Sequence, residues 1–206
     1  MRSGSLRGVQ LKARAVESAD VDAVVDTISL AFLDDPVWSW AFPDEGSRPV
    51  AFRRWWRLFA ESMWPQGFSW MTDQAEAVAV WAVPNGLELT RAAERSIPLL
   101  LDEYLGERAA TVLEALLQFE DAHPHDEPHY YLSIVATHDD HRGQGIGEAL
   151  LAENLAVVDA RHFPAYLESS NPRNLARYER LGFRPIGEFT LVGNGPTVTT
   201  MWRAAR

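Results

Sequence analysis

Apolar and polar positions alternate from Val9 to Ala15, where Val9, Leu11, Ala13 and Ala15 are separated by Gln10, Lys12 and Arg14. That is the period of a half-buried strand. The period then lengthens. Val21, Val24, Val25, Ile28 and Phe32 share one helical stripe behind the capping segment Ser18 to Asp20. Asp35-Pro36 is expected to end this helix and leave Trp38 and Trp40 in a loop. Phe52, Trp55, Trp56, Phe59 and Met63 predict a second helix, with Arg53, Arg54 and Arg57 on its other faces. Phe68 to Thr72 and Ala77 to Val83 read as two strands around Asp73-Gln-Ala-Glu76, and Pro84-Asn85-Gly86 closes the pair. Residues 88–122 are helical by composition, with a break expected near Pro98.

The last part of the chain is the most regular. Tyr130 to Ala136 is apolar at nearly every position, as in a strand covered on both faces. A glycine-rich loop at 143–147 opens a helix to about His162, and Ala165 to Glu168 forms a short strand. Asn171 caps a short helix that begins at Pro172 and stops at Gly182. Phe183 to Leu191 and Thr197 to Trp202 predict a final hairpin. The element order is mixed α/β, with one strand–loop–helix–strand unit near the C-terminus.

Composition narrows the possibilities. A length of 206 residues suits one domain, expected over residues 9–206 with residues 1–8 as a flexible lead. No apolar run nears the roughly 18 residues that span a bilayer, and Met1 to Ser5 does not read as a secretory signal. Cysteine is absent, which removes disulfides, thiolate nucleophiles and Cys-ligated metals and agrees with a reducing, cytoplasmic setting. The net charge of −10, with no basic run, disfavours nucleic acid and anionic membranes as partners. His123, His125 and His129 with Asp126 and Glu127 match no zinc spacing, and no metal is expected. Oligomeric state cannot be read from the pattern.

Chemistry concentrates after Thr137, in His138-Asp-Asp-His141 and then Arg142-Gly-Gln-Gly-Ile-Gly147. Glycines at 143, 145 and 147 leave main-chain N–H groups uncovered, and the first turn of a helix adds more N–H groups and a partial positive charge. Together they suit a diphosphate, with Arg142 as a mobile charge at the rim. A Rossmann dinucleotide site is the sharpest competitor, since Glu168 ends the next strand. It fails because Leu150 occupies its last glycine position, the glycines lie several residues beyond the strand, and too little chain remains after them.

Arg142-x-x-Gly145-x-Gly147 matches the [Arg/Gln]-x-x-Gly-x-[Gly/Ala] signature of the GNAT N-acetyltransferases. Asn171-Pro-Arg-Asn-Leu-Ala-Arg-Tyr178-Glu-Arg-Leu-Gly-Phe183 resembles the same family's C-terminal motif, in the family's order and spacing. Within the family the sequence is most similar to puromycin-modifying members, through Leu167-Glu-Ser-Ser, Ala77-Val-Ala-Val-Trp81 and Ala31-Phe32 with the Asp-x-Pro after it. The resemblance is weak over 87–127 and around 38–66. It implies a mostly antiparallel mixed sheet flanked by helices, with 88–122 as a helical insertion, and acetyl-CoA as cosubstrate. It also implies that the main chain of Val135, Ala136 and Thr137 runs beside the pantetheine. The diphosphate would lie on Gly143, Gln144, Gly145, Ile146, Gly147 and Glu148, with Asn171 on the cofactor arm and Tyr178 near sulfur. Many members carry proline where this chain has Asp139.

Acyl transfer to an amine needs a polarised carbonyl, an unprotonated amine and a proton for the leaving thiolate. A main-chain N–H near Val135 to Thr137, freed by a bulge or splay, can serve the carbonyl. Tyr178 lies close to two helical turns after Asn171 and is the candidate acid. Glu168 is the candidate base, although a carboxylate there could equally cap a loop or pair with an arginine. His138 and His141 read as solvated loop residues. Trp55, Trp56 and Trp64 read as packing on one helix, while Asp35 and Trp38 are candidates for contact with the acceptor. The expected partner is a small-molecule amine. A peptide or lysine acetyltransferase and a non-catalytic acyl-CoA-binding regulator remain as alternatives.

Overall fold

The structure is a computed structural model that describes residues 12–206. Among these residues seven strands make one sheet: β1 (Ala13–Ala15), β2 (Trp70–Thr72), β3 (Ala77–Ala82), β4 (Tyr130–Thr137), β5 (Ala165–Ser169), β6 (Arg184–Thr190) and β7 (Thr197–Arg203). Their order is β1-β2-β3-β4-β5-β7-β6. Every neighbouring pair is antiparallel except β4 and β5, which are parallel. Parallel neighbours require a crossover, and helix α6 (Ile146–Ala160) supplies it. The predicted mixed, mostly antiparallel sheet flanked by helices is therefore present. Val9 and Leu11, at the start of the first predicted strand, lie outside the described residues.

The sheet carries a separate core on each face. Val78 and Val80 pack with α1 (Val21–Ala31) and α3 (Arg48–Met63), around Phe52, Trp55 and Trp56. Ala77, Ala79 and Trp81 point the other way, onto Leu150, Leu151, Leu155 and Val158 of α6. The buried Trp81 indole donates to Asn154 Oδ1 at 3.0 Å, which pins α6, and with it the loop that precedes it, to the middle of β3.

Strand β4 carries one irregularity. Val80 pairs with Ile134 and Trp81 with Leu132, so Ser133 is an extra residue without a partner on β3. A bulge of this kind breaks the two-residue period. Accordingly Leu132 packs on the α6 side, whereas Ile134 and Ala136 pack on the α1 and α3 side.

Three expectations need correction. Trp38 and Trp40 do not lie in a loop; they sit in a short helix, α2 (Pro36–Ala41). Asp35 caps it by accepting from the amides of Val37 at 3.0 Å and Trp38 at 3.3 Å, and Pro36 stands where no N–H is needed. Pro98 lies inside α4 (Arg91–Leu105) without breaking it. Pro98 and Glu94 are exposed, so water can take over the carbonyl that loses its partner. The break falls at Gly106, whose φ of 52° and ψ of −124° suit glycine, before α5 (Ala109–Ala122). Finally, residues 172–174 form a 3₁₀ turn, and only α7 (Leu175–Arg180) is α-helical.

Candidate active site

A cavity of about 940 Å³ runs from the loop before α6, past the ends of β4 and β5, to the faces of α1, α2, α4 and α5. Its first end is built from main chain. Gly143 and Gly145 both have φ of 76°, in the left-handed region, and a Cβ added at either would meet nothing within 4 Å. Gly147 is needed for a different reason: a Cβ there would stand 2.6 Å from Thr137 Oγ1, where helix and strand approach closely. Among the described residues, the amides of Gly143 to Glu148 have no acceptor, and the first hydrogen bond at the head of α6 runs from Ala149 N to Gly145 O, at 3.0 Å. Six successive donors without a partner, all but Gln144 in residues that line the cavity, fit a diphosphate.

Four arginines, at 142, 173, 177 and 180, line the same end. Arg142 is not a mobile rim charge. Its guanidinium is held by Asp139 at 2.8 Å and by the carbonyl of Ala31 at 2.8 Å, so it ties the loop to the end of α1. Arg180 makes a two-pronged contact with Glu148, at 3.0 and 2.7 Å, which lowers the Glu148 pKa.

The middle of the cavity is the gap between β4 and β5. The two strands pair only at Tyr130 with Ala165 and Tyr131 with Tyr166, then separate. Beyond that point β4 is bonded along its β3 edge only, and the edge of Val135, Ala136 and Thr137 that faces away from β3 is open along the cavity. Asn171 lines the gap, and its Oδ1 accepts from the amide of Arg173 at 3.1 Å. Tyr178 also lines it, buried and packed on Phe183. Burial pushes the Tyr178 phenol up to about 12, and its hydroxyl has no partner among the described residues. A protonated donor that no protein group uses is thus placed beside the open strand edge.

The far end is acidic and aromatic. Glu168, near the end of β5, accepts from the Tyr131 hydroxyl at 2.5 Å through Oε2, while Oε1 lies 3.7 Å from His123 Nδ1. Glu88 faces the same space and accepts from Ser133 Oγ, on the bulge, at 2.5 Å. Burial raises the Glu88 carboxyl to about 7, against the Ser133 hydrogen bond, and the nearby Glu168 charge adds to the rise. Local pattern does not mark Glu88, which stands between Leu87 and Leu89 like any acid ahead of a helix; only the bulge, visible in the strand register, brings Ser133 to it. Phe32, Trp38, Trp56 and Phe59 wall this end, so Trp56 lines the cavity as well as the core. Trp40 does not join them and instead packs on Arg108 at 4.9 Å. Asp35 borders the cavity with its oxygens engaged, one by the α2 amides and the other by Ser170 Oγ at 2.6 Å, and burial raises its pKa.

The acetyltransferase (GNAT) family profile matches residues 50–183, which takes in the glycine loop, the splayed strands, Asn171 and Tyr178. The chain belongs to this family. GNAT proteins use acetyl-CoA as cosubstrate, and the bare amides and open strand edge suit it. An acetyltransferase of Agrobacterium fabrum is 36% identical over 72 residues, covering 34% of this chain and 51% of that protein, so the match spans about half of the relative's length. A solved structure from Corynebacterium glutamicum, described as a histone acetyltransferase and related acetyltransferase, has 27% identity and a TM-score of 0.68 over 95% of this chain and 97% of that one. Arylalkylamine N-acetyltransferase 2 of Aedes aegypti shares the fold at 13% identity, with a TM-score of 0.63 over 96% of this chain and 100% of that one. Among the described residues no helix is long and apolar enough to cross a membrane.

Proposed function

We propose that this GNAT protein moves the acetyl group of acetyl-CoA to the primary amine of a small, cationic, partly apolar molecule, by direct attack of the amine on the thioester. The observation that carries this reading is one cavity with ends of opposite polarity, joined at the open edge of β4. Bare amides and arginines suit a diphosphate at one end, while carboxylates and tryptophans suit an ammonium on an apolar body at the other.

When bound, acetyl-CoA supplies an acetyl group activated as a thioester. The amides of Gly143 to Glu148 hold its diphosphate, with Arg142 bracing the loop. Val135, Ala136 and Thr137 offer main-chain donors and acceptors along the arm, which Asn171 also touches. An unpaired N–H on this edge polarises the reacting carbonyl. Tyr178 gives its proton to the departing sulfur, and its unpartnered hydroxyl favours that role. Glu168 takes the proton of the acceptor's ammonium, and Glu88 adds a second acid to the seat. Trp38 packs against the acceptor's apolar part. Asp35 keeps Trp38 in place through the α2 cap and Ser170 more than it meets the acceptor itself.

The enclosing aromatic wall favours a small acceptor over a protein tail. The test is a panel of amines incubated with acetyl-CoA, with thiol release recorded: 2-phenylethylamine, puromycin, a diamine and a lysine-bearing peptide. The expected result is turnover of one or more small amines and none of the peptide. Turnover of the peptide alone would move the assignment to protein acetylation, and acetyl-CoA binding without turnover of any amine would favour an acyl-CoA-binding regulator.

A further inference from the structure

Behind Glu168 lies a histidine pair that the proposed transfer leaves unused. We propose that Glu168 works as half of a dyad with His123, in which His123 receives the acceptor's proton from the carboxylate and His129 fixes the ring that receives it. This rests on the acetyl-transfer reading of the cavity.

The contacts set the state of each ring. His129 Nδ1 lies 2.7 Å from the carbonyl of Glu127. A carbonyl only accepts, so this nitrogen carries the hydrogen. Burial lowers the His129 pKa and keeps its ring neutral, so Nε2 holds a lone pair. That nitrogen lies 3.1 Å from His123 Nε2, which must therefore be the donor. His123 is left with Nδ1, and Nδ1 faces Glu168 Oε1 at 3.7 Å. The other oxygen of Glu168 is committed to Tyr131. Glu168 Oε1 and His123 Nδ1 thus face each other, less than 1 Å beyond hydrogen-bond reach, with Tyr166 close by the carboxylate.

A neutral His123 would aim a lone pair at a carboxylate, whereas an imidazolium would satisfy both of its neighbours. His123 is the residue that ends α5, and its own amide closes on the carbonyls of Phe119 and Glu120, which fixes where the ring stands. The other groups around the ring are His125 at 5.8 Å, Tyr131 at 4.8 Å and Tyr166 at 5.0 Å, with Glu88 across the cavity. Burial raises both tyrosines above their ordinary range, so neither competes for a charge change near neutrality.

The protons balance in two transfers. An N–H bond of the ammonium breaks as Glu168 Oε1 gains the hydrogen; that O–H bond then breaks as His123 Nδ1 gains it. The result is a regenerated carboxylate and an imidazolium that donates to His129. The His123 side chain is 23% exposed and that of Glu168 only 4%, so His123 is the better placed to return the proton to water. His123 is therefore a positioning and relay residue, because it acts through Glu168.

Ring ¹⁵N NMR of the full chain between about pH 5 and 9 tests the tautomers without any acceptor. The expected result above neutrality is an Nδ1–H tautomer for His129 and an Nε2–H tautomer for His123. Glu168→Gln should change the ¹⁵N shift of His123 Nδ1, which faces that side chain, and leave His129 as it was. In kinetics with the fastest amine of the panel, His123→Gln should lower kcat/KM by about tenfold and move its acidic limb to lower pH, because only the Glu168 carboxylate must then stay unprotonated, leaving KM for acetyl-CoA unchanged. Added imidazole should recover part of the loss in His123→Ala. An Nε2–H His129, a His123 Nδ1 shift indifferent to Glu168→Gln, or an unmoved pH profile in an active His123→Gln overturns the dyad alone. Wild-type protein that acetylates no amine overturns the transfer reading and the relay together.

Discussion

The two ends of the cavity solve opposite electrostatic problems by different means. The end at the head of α6 presents main-chain dipoles: six amides from Gly143 to Glu148 that have no acceptor among the described residues and, in the proposed transfer, would hold an anion. The end under α2, α4 and α5 gathers side chains instead, chiefly Glu88 and Glu168, from segments eighty residues apart in the chain, and in the proposed transfer these would receive a cation. A main-chain site depends on local sequence, because only glycine leaves the backbone bare and left-handed. A side-chain site depends on what the fold brings together. The two ends should therefore fail separately.

The largest effect is expected from Gly145→Val. A β-branched residue at φ of 76° is strained and would cover the amides, so acetyl-CoA affinity measured by calorimetry should fall 100-fold or more, about 3 kcal/mol. Tyr178→Phe tests the junction between the ends. It should lower kcat about 100-fold with little change in either KM or in Tm, since the lost hydroxyl bonds to nothing within the described protein. With its phenol pushed up to about 12, Tyr178 remains protonated over the ordinary assay range, and a basic limb near pH 9 that vanishes in Tyr178→Phe would contradict this assignment.

Glu88→Gln should act at the acidic end alone, raising KM for the amine about tenfold while acetyl-CoA binding holds. It also has a stability signature. Glu88 titrates at about 7 when folded and near 4.5 when unfolded, so the folded state binds the extra proton between those values. Wild-type stability should fall relative to Glu88→Gln as pH rises from about 4.5 to 7, by roughly 7 °C in Tm, and the two should run parallel at lower pH. Asp35→Ala should cost about 2 kcal/mol through the lost cap and Ser170 contact, whereas Asp35→Asn retains most of it. The smallest effect is expected from Arg142→Ala. Its guanidinium is already paired, so acetyl-CoA binding should weaken by no more than about fivefold.

The same division explains what could be read from the sequence. Strands, crossover helix and final hairpin emerged from periodicity, and the glycine loop and Tyr178 from local spacing, because each is decided by neighbours in the chain. Glu168 was visible as a strand-end acid, but its engagement with Tyr131 and His123 was not. Glu88 was invisible, since the Ser133 bulge is a property of strand register and not of any one residue. The break expected at Pro98 falls at Gly106 because an exposed helix position lets water replace the lost donor. Asp35-Pro36, read as a stop, is a stop and a start in one, and that moved Trp38 from a loop to a helix wall.

The parting of β4 from β5 means that the sheet is continuous only through two residue pairs at its centre. Elsewhere along that seam the strands of β1 to β4 and those of β5 to β7 are separate leaves hinged at Tyr130 and Tyr131. A ligand arm that carries amides of its own can bond along the vacant side of β4 and bridge the leaves. In the proposed transfer the donor would thus serve as a temporary structural member of the sheet.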